Sequence, residues 1–346
     1  MKNLNLREKD KLVLNQVVET YLREGKPVSS DLISQKHILR DSPATIRNIM
    51  AKLEDLGYVY KPHTSAGRIP TDLGLRYYVN SLLDRVRATQ EVQVFAEDLF
   101  HSKGDFPSLL NRVSHILAEQ SDNLGFVISP RVSKINFNHL RLIKVAEDKV
   151  MIILLTTFNL VLNEIVKTTQ YFTQLELDEA SQFINKGFRG RNLLFLRDYL
   201  LRELPHYRQR HEAVINKLID LLRNYFLQED QNDQIFLQGT SKLLDQAEQF
   251  SLKKLKVLFR DFEEKAKLAR LISDFISLER VKVFIGSEAH LPDISDCTLI
   301  LSHYGSSNQV LGSLGIIGPK RIAYKKIIPL VDHIAQGLSQ TISKTQ

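Results

Sequence analysis

The sequence contains one cysteine, Cys297, and no long apolar segment. A single thiol excludes an internal disulfide framework and any zinc or iron–sulfur site built from several cysteines. The longest apolar run, VMIILLTTFNLVL, is shorter than the roughly 20 residues that cross a bilayer, and Thr and Asn interrupt it. The first residues, MKNLNLREKDK, lack the apolar core of a signal peptide, so we expect a cytoplasmic protein.

Motifs of catalysis and nucleotide binding are also missing. GSLGIIGPKR, residues 312–321, has three glycines but neither common phosphate-binding pattern, and tight turns in a sheet explain them better. HYGSSN, residues 303–308, places a histidine near serines without a nucleophile elbow. His206 and His211 are five residues apart and do not share a helix face, which argues against a metal site. We therefore expect no enzyme, no cofactor and no metal.

Positive charge is concentrated near the N-terminus. The chain has 346 residues, of which 43% are hydrophobic, and this suffices for two or three compact domains. Its net charge is +7, and residues 1–90 contain 15 Lys and Arg against 10 Asp and Glu. This asymmetry favours a polyanionic partner for the N-terminal part. An ordinary basic protein with solvated Lys and Arg side chains is the alternative.

The N-terminal quarter predicts three helices and a hairpin. Apolar residues recur at helical spacing from Leu6 to Leu22, and a short second helix starts at Ser29 or Ser30. A third helix is predicted from Pro43 to Leu56, with Ser42 as N-cap and Gly57 as terminator. YVYKP then predicts a strand, HTSAGR a turn, and IPTDLGLRYYVNSLL a return into a further helix.

The third helix separates an apolar face from a polar one. Its buried stripe is predicted to be Ile46, Ile49, Met50, Leu53 and Leu56. The other face carries small or hydrogen-bonding residues, with Thr45 and Arg47 on its flanks: Ala44, Asn48, Ala51, Lys52 and Asp55. Small side chains let a helix approach the major groove, where Arg and Asn pair with guanine and adenine edges. A merely solvated helix face is the alternative for this helix taken alone.

The loop after the predicted strand completes a winged helix-turn-helix. Its residues His63, Thr64, Ser65, Gly67 and Arg68 supply donors for DNA phosphates. Pro62 and Pro70 limit the entropy lost when such a wing is held against the backbone. Arg68 has a second possible role, because a narrow minor groove also attracts guanidinium groups.

The rest of the chain predicts a mixed domain with an insertion. Residues 84–104 suggest a linker helix, and a helix follows from Phe106 to about Ser121. LRLIKVAEDKVMIILLTTFNLVLNEIVKT predicts a meander of strands, and residues 173–228 are helical again. A helix over 253–275, strands in VKVFIGSE, CTLILSHY and GSLGIIGP, and a closing helix in KKIIPLVDHIAQGLSQTI complete the pattern.

Long motifs of the chain resemble the HrcA family of bacterial heat-shock repressors. The resemblance is carried by SPATIRNIMAKLEDLGYVYKPHTSAGRIPTDLGLRYYV, KPVSSDLI, FLQGTSKLL, VFIGSE and LGSLGIIGPKRIAYKKIIPLVDHIAQGLS. It covers most of the chain and is weakest between about residues 168 and 231. It implies an α+β multidomain protein with a winged helix-turn-helix, a GAF-like α/β domain and an inserted, mainly helical dimerisation domain. On this basis we assign residues 1–83 to DNA binding, 84–104 to a linker helix, 105–188 and 279–346 to the GAF-like domain, and 189–278 to the dimerisation domain.

The resemblance also implies partners and site residues. The family represses chaperone operons by binding an inverted-repeat operator called CIRCE, and its activity depends on the GroE chaperonin. Ser42, Thr45, Arg47 and Asn48 would lie in the recognition helix, with Lys52 on the same exposed face. The family usually has a basic residue where this chain has Asp31, so we expect this chain to lack one phosphate contact of the family. It usually has Glu where this chain has Ile49, and helical phase points Ile49 inward.

An inverted repeat requires a two-fold symmetric protein, which predicts a homodimer on double-stranded DNA. HEAVINKLIDLLRNYF and LKKLKVLFRDFEEKAKLARLISDFI carry enough apolar surface to form its interface, or else pack within one subunit. Two other functions remain as alternatives. One is a regulator of other genes with the GAF-like domain as a metabolite sensor, and the other is an enzyme that only autoregulates through its N-terminal domain.

Overall fold

The structure is a computed structural model, and it describes eleven stretches of the chain. These are residues 6–35, 41–63, 66–83, 106–130, 135–157, 161–203, 212–229, 235–246, 281–289, 295–306 and 309–344. The predicted linker helix over 84–104 and the predicted helix over 253–275 lie outside the described residues. The mixture of helices and antiparallel sheets agrees with the predicted α+β class.

The N-terminal unit, residues 6–83, contains the predicted helices and hairpin. Its elements are α1 (Glu8–Glu24), α2 (Ser30–Gln35), α3 (Pro43–Asp55), β1 (Val59–Tyr60), β2 (Ile69–Pro70) and α4 (Asp72–Leu83). Glycines end two of the helices, because Gly25 after α1 and Gly57 after α3 have the positive φ angles, 69° and 78°, that favour glycine. Val59 pairs with Pro70 and Tyr60 with Ile69, which makes a short antiparallel hairpin.

A five-stranded antiparallel sheet forms the centre of the molecule. Its strands follow the order β7 (Ile235–Gln238), β3 (Leu124–Ile128), β10 (Gln309–Pro319), β9 (Cys297–Ser306) and β8 (Val281–Ile285). Two helices pack on it, α5 (Phe106–Ser121) and α10 (Tyr324–Lys344), and they also contact one another. All five residues of β3 are buried, so the sheet is covered on both faces there. A short helix, α9 (Thr240–Asp245), follows β7.

The chain segment between β3 and β7 forms a second sheet with its own core. Strands β4 (Phe137–Ala146), β5 (Lys149–Thr156) and β6 (Val161–Lys167) make a meander. Helices α6 (Gln174–Phe188), α7 (Leu193–Glu203) and α8 (Glu212–Glu229) cover one face of it. We call residues 135–229 the insertion unit. Its core includes Phe137, Ile152, Leu177, Leu196 and Leu221.

This arrangement differs from the division predicted from the sequence. The prediction joined 105–188 with 279–346 and began the insertion at residue 189. Among the described residues, β4, β5 and β6 pair only with one another and share their hydrophobic core with α6–α8. The two cores therefore divide the chain between β3 and β4 and again between α8 and β7. The physical reason is that strand pairing is non-local, so an apolar run in the sequence does not reveal which sheet it joins.

The N-terminal unit packs against the five-stranded sheet. Buried side chains of α1, α3 and α4 belong to the same hydrophobic cluster as those of β8, β10 and α10. Two ion pairs add to this contact. Lys320 Nζ lies 2.8 Å from Asp72 Oδ1, and Arg76 Nε donates to Glu288 Oε1 at 2.8 Å. Among the described residues, no helix is long and apolar enough to cross a membrane.

Candidate nucleic-acid interface

Helix α3 is built by local sequence signals at its N-terminus. Ser42 has an extended backbone and its Oγ accepts a hydrogen bond from the Thr45 N–H at 3.3 Å, while Pro43 takes the first helical position. The two hydroxyls of Ser42 and Thr45 are also 3.0 Å apart. Both predicted site residues are exposed, and Ser42 also caps the helix.

The predicted division of α3 into two faces is present in the structure. Ile46, Met50 and Leu53 are buried, and Ile49 packs at the edge of the same core. The other face is exposed, and it includes Ala44, Thr45, Arg47, Asn48, Ala51 and Lys52. This surface therefore has a flat middle of small residues, with a guanidinium and an amide beside it.

The two cations on this surface, Lys52 and Arg47, differ in whether they form an ion pair. Lys52 forms an ion pair with Asp10 of α1, whose side chain is only 6% exposed. Within the part of the chain that the structure describes, Arg47 makes no ion pair, and its side chain is exposed. Lys52 thus holds α3 against α1, whereas the charge of Arg47 is available to a ligand.

The wing, residues 61–68, is anchored on the turn before α2. The Arg68 N–H donates to the Val28 carbonyl at 2.8 Å, and the Val28 N–H donates to the Arg68 carbonyl at 2.9 Å. Gly67 must be glycine at this contact, because a Cβ atom there would lie 2.3 Å from the Val28 oxygen. His63 is exposed near the tip, and Thr64 and Ser65 lie outside the described residues.

The side chain of Arg68 is largely buried in an ion pair with Glu54. Its Nη2 lies 2.7 Å from Glu54 Oε2 on the last turn of α3, and the side chain is 16% exposed. The sequence predicts that this guanidinium lies at a phosphate or in the minor groove. The fold instead gives it a carboxylate partner 14 residues earlier in the chain.

A cleft of about 350 Å³ separates α2, α3 and the wing. Its charged lining residues are Asp31, Arg47, Lys61 and Arg68. Lys61 is exposed and was missed by the sequence analysis, although it follows β1 directly and begins the wing. Asp31 is exposed in the first turn of α2, so a carboxylate faces the same opening as Arg47. Arg47 and Lys61, which have no ion-pair partner among the described residues, therefore line the same cleft as the carboxylate of Asp31.

Thr71 and Tyr78 fix the elements behind this surface. Thr71 Oγ1 donates to the Gly57 carbonyl at 2.6 Å and accepts from the Gly74 N–H at 3.2 Å, which joins the end of α3 to the start of α4. Tyr78 donates to Glu19 Oε1 at 3.3 Å, and burial raises the pKa of its phenol.

No group of three or more potential metal ligands occurs within the described ranges.

Comparison with known proteins identifies relatives of the whole chain. Residues 107–328 match a family model described as the HrcA protein C-terminal domain. The heat-inducible transcription repressor HrcA of Geobacter sulfurreducens is 33% identical, over 98% of both chains. That of Nitrosomonas eutropha is 36% identical, over 98% of this chain and 100% of its own. A solved structure described as a hypothetical protein covers 99% of this chain and 100% of its own, at 25% identity and a TM-score of 0.66.

Proposed function

Because the chain belongs to the HrcA family of heat-inducible transcription repressors, we propose that it represses heat-shock genes by binding their DNA. The observation that carries the proposal is the exposed face of α3 beside the wing. It offers small residues for close approach, with Arg47 and Asn48 for base edges. Lys61 and His63 add donors on the wing side, where phosphates would lie.

The operator is proposed to be the inverted repeat called CIRCE, bound by a homodimer. Each half-site of an inverted repeat presents the same edges with opposite polarity, so two copies of α3 related by a two-fold axis are required. Repression would follow when the dimer occupies promoter DNA in place of polymerase.

The outer face of the three-stranded sheet supports a dimer through the insertion unit. Alternate residues of β5 are buried, and the others are half-exposed although most of them are apolar. The cross-strand register places six apolar residues on this face, together with His139, Arg141 and Asn163: Ile143, Met151, Ile153, Leu155, Val161 and Ile165. Val161 and Ile165 are 61% and 49% exposed. An apolar patch of this kind is typical of a protein–protein interface.

Part of the interface predicted from the sequence packs inside the subunit. Leu218, Leu221, Leu222 and Tyr225 of α8 are buried in the core of the insertion unit. The second helix named there, over 253–275, lies outside the described residues. The outer sheet face is therefore our choice for the partner copy.

A charge placed on the outer sheet face tests the dimer. Ile165→Lys should dissociate the protein into monomers in sedimentation velocity and weaken operator binding. Leu175→Lys is the matched control, because Leu175 is 70% exposed on α6, which packs on the opposite face of the sheet. A dimeric Ile165→Lys variant would refute this interface.

DNA titrations test the function itself. The protein is titrated with the inverted repeat, a single half-site and random DNA at two salt concentrations. We expect tightest binding to the full repeat and a strong loss with salt, because phosphate contacts release counterions. Equal affinity for the repeat and for random DNA would contradict the proposal.

GroE chaperonin is proposed as the modulator. Only about 5–15 kcal/mol separates a folded domain from its unfolded chain, so heat would unfold part of the repressor and chaperonin would restore it. After a heat shock, operator binding should return with chaperonin and ATP and stay low with ATP alone. Full binding after heating without chaperonin would exclude this mechanism.

A further inference from the structure

Arg68 occupies a position from which it connects three elements of the N-terminal unit. Its backbone forms an isolated antiparallel bridge with Val28, and it precedes β2 at the return of the wing. Its guanidinium reaches Glu54 near the end of α3, with an Nη2–Oε2 distance of 2.7 Å. The residue therefore links the wing to the turn before α2 through its backbone and to α3 through its side chain.

Burial decides between a structural pair and a DNA contact. The Arg68 and Glu54 side chains are 16% and 32% exposed, and the Arg68 Nε atom is buried without a hydrogen-bond acceptor. Because only 16% of the side chain is exposed, the guanidinium would have to turn outward to contact a phosphate, and the Glu54 carboxylate would then lie unpaired beside the DNA. Arg47 and Lys61 line the same cleft, are exposed, and have no ion-pair partner among the described residues.

We propose that Arg68 is a positioning residue for DNA binding: its pair with Glu54 fixes the angle between the wing and α3. The wing and α3 must meet the DNA together, so a free wing would lose conformational entropy on binding. Because the Arg68–Glu54 pair already restricts the wing in the free protein, less conformational entropy is lost when the DNA binds. This inference rests on the proposed function, because it concerns the same DNA surface.

Glu54→Gln gives opposite results under the two roles of Arg68. If Arg68 is a positioning residue, removing the Glu54 charge loosens the wing and weakens operator binding roughly three- to tenfold. If Arg68 binds phosphate, the same substitution releases its charge and tightens binding. Glu24→Gln is the matched control, because it removes one exposed carboxylate of the same unit, paired with Arg23 at the end of α1 and outside the proposed DNA surface. It should leave binding unchanged or slightly tighter.

The salt dependence of binding supplies a second readout that a change in stability would not move. Arg68→Gln should weaken operator binding about as much as Glu54→Gln, with the slope of log K against log salt unchanged. The double variant should bind no more weakly than either single variant, because both remove one interaction. A slope that becomes shallower by about one for Arg68→Gln would overturn the inference.

Failure of the proposed function and failure of the positioning role of Arg68 give different results. If the wild-type protein does not prefer the inverted repeat over random DNA, the proposed function fails. If it does prefer the repeat and Glu54→Gln tightens binding, only the positioning role fails. Where Arg68→Gln does not fold, as judged by circular dichroism, the direction of the Glu54→Gln effect decides alone.

Discussion

The Lys and Arg residues of α3 and the wing fall into two groups. Lys52 and Arg68 are paired with Asp10 and Glu54 and serve the fold. Arg47 and Lys61 are exposed around the cleft, where their positive charges are available to a ligand. The sequence does not separate these groups, because Asp10 and Glu54 are 42 and 14 residues away from their partners. Only the fold brings the charges together.

Arg47→Ala should weaken operator binding by roughly 1–3 kcal/mol and reduce the preference for operator over random DNA. The physical reason is the loss of hydrogen bonds to base edges, which random DNA does not offer in the same register. Gel-shift titration on both DNAs measures the effect. Arg223→Ala, an exposed arginine of the insertion unit, should change neither affinity. Equal losses on the two DNAs would make Arg47 a phosphate contact only.

Asp31 introduces a negative charge at the opening of the cleft. Asp31→Asn should therefore tighten binding to operator and to random DNA alike, since phosphate repulsion is independent of base sequence. Asp31→Lys should tighten binding more than Asp31→Asn does, and the slope of log K against log salt should become steeper by about one. Glu179→Gln on α6 serves as the control for an exposed carboxylate. Unchanged affinity in Asp31→Lys would place α2 away from the DNA.

At the scale of elements, the capping residue of α3 has two separable roles. Ser42→Ala should lower the free energy of unfolding by about 1 kcal/mol, because one N–H of the first turn loses its acceptor. Ser42→Asp should keep that stability, since Asp also caps helices, but weaken DNA binding by adding an anion. Chemical denaturation and DNA titration of both variants measure the two effects. If Ser42→Asp binds DNA normally, the N-terminus of α3 is not at the interface.

The insertion unit has an acid-sensitive cap at the start of α6. Hydrogen bonding from Lys217, with further bonds from Thr173, lowers the pKa of Glu176 from 4.5 to about 2. A lowered folded-state pKa stabilises the fold above pH 4.5, and this contribution is lost as the pH falls through about 2. Denaturation of wild type and Glu176→Gln between pH 7 and 3 should show the difference narrowing at low pH. A difference that is constant with pH would show that Glu176 does not titrate this way.

Elements were predictable where their signals are local. The cap at Ser42, the terminator Gly57 and the turn between β1 and β2 depend on neighbouring residues, and all lie where the sequence placed them. The partition of strands between two sheets was not predictable, because VMIILLT reads as a strand buried on both faces. In the structure only one face of β5 is buried in the described core. The site followed the same rule: the exposed face of α3 was predicted and the partner of Arg68 was not.

At the scale of the whole molecule, the N-terminal unit is not independent of the central sheet. Its buried residues share one hydrophobic cluster with β8, β10 and α10, whereas the insertion unit has a separate core. Arg76 of α4 connects the N-terminal unit to β8 of the central sheet and to the turn that follows it. It donates to the Val283 carbonyl at 2.5 Å and pairs with Glu288, which also accepts from the Ile285 N–H at 2.9 Å.

We therefore expect the N-terminal unit and the central sheet to unfold together, with the insertion unit as a second cooperative block. Glu288→Gln should raise hydrogen exchange in α4 and lower the stability of the shared core by about 1–2 kcal/mol, because Arg76 loses its charge partner in a half-buried site. Exchange in α6 should stay the same. Asp198→Asn on α7, which breaks an exposed neighbouring pair, should change stability by no more than about 0.5 kcal/mol. If Glu288→Gln left exchange in α4 unchanged, packing alone would hold the DNA-facing helices on the sheet, and the orientation of α3 would not depend on this ion pair.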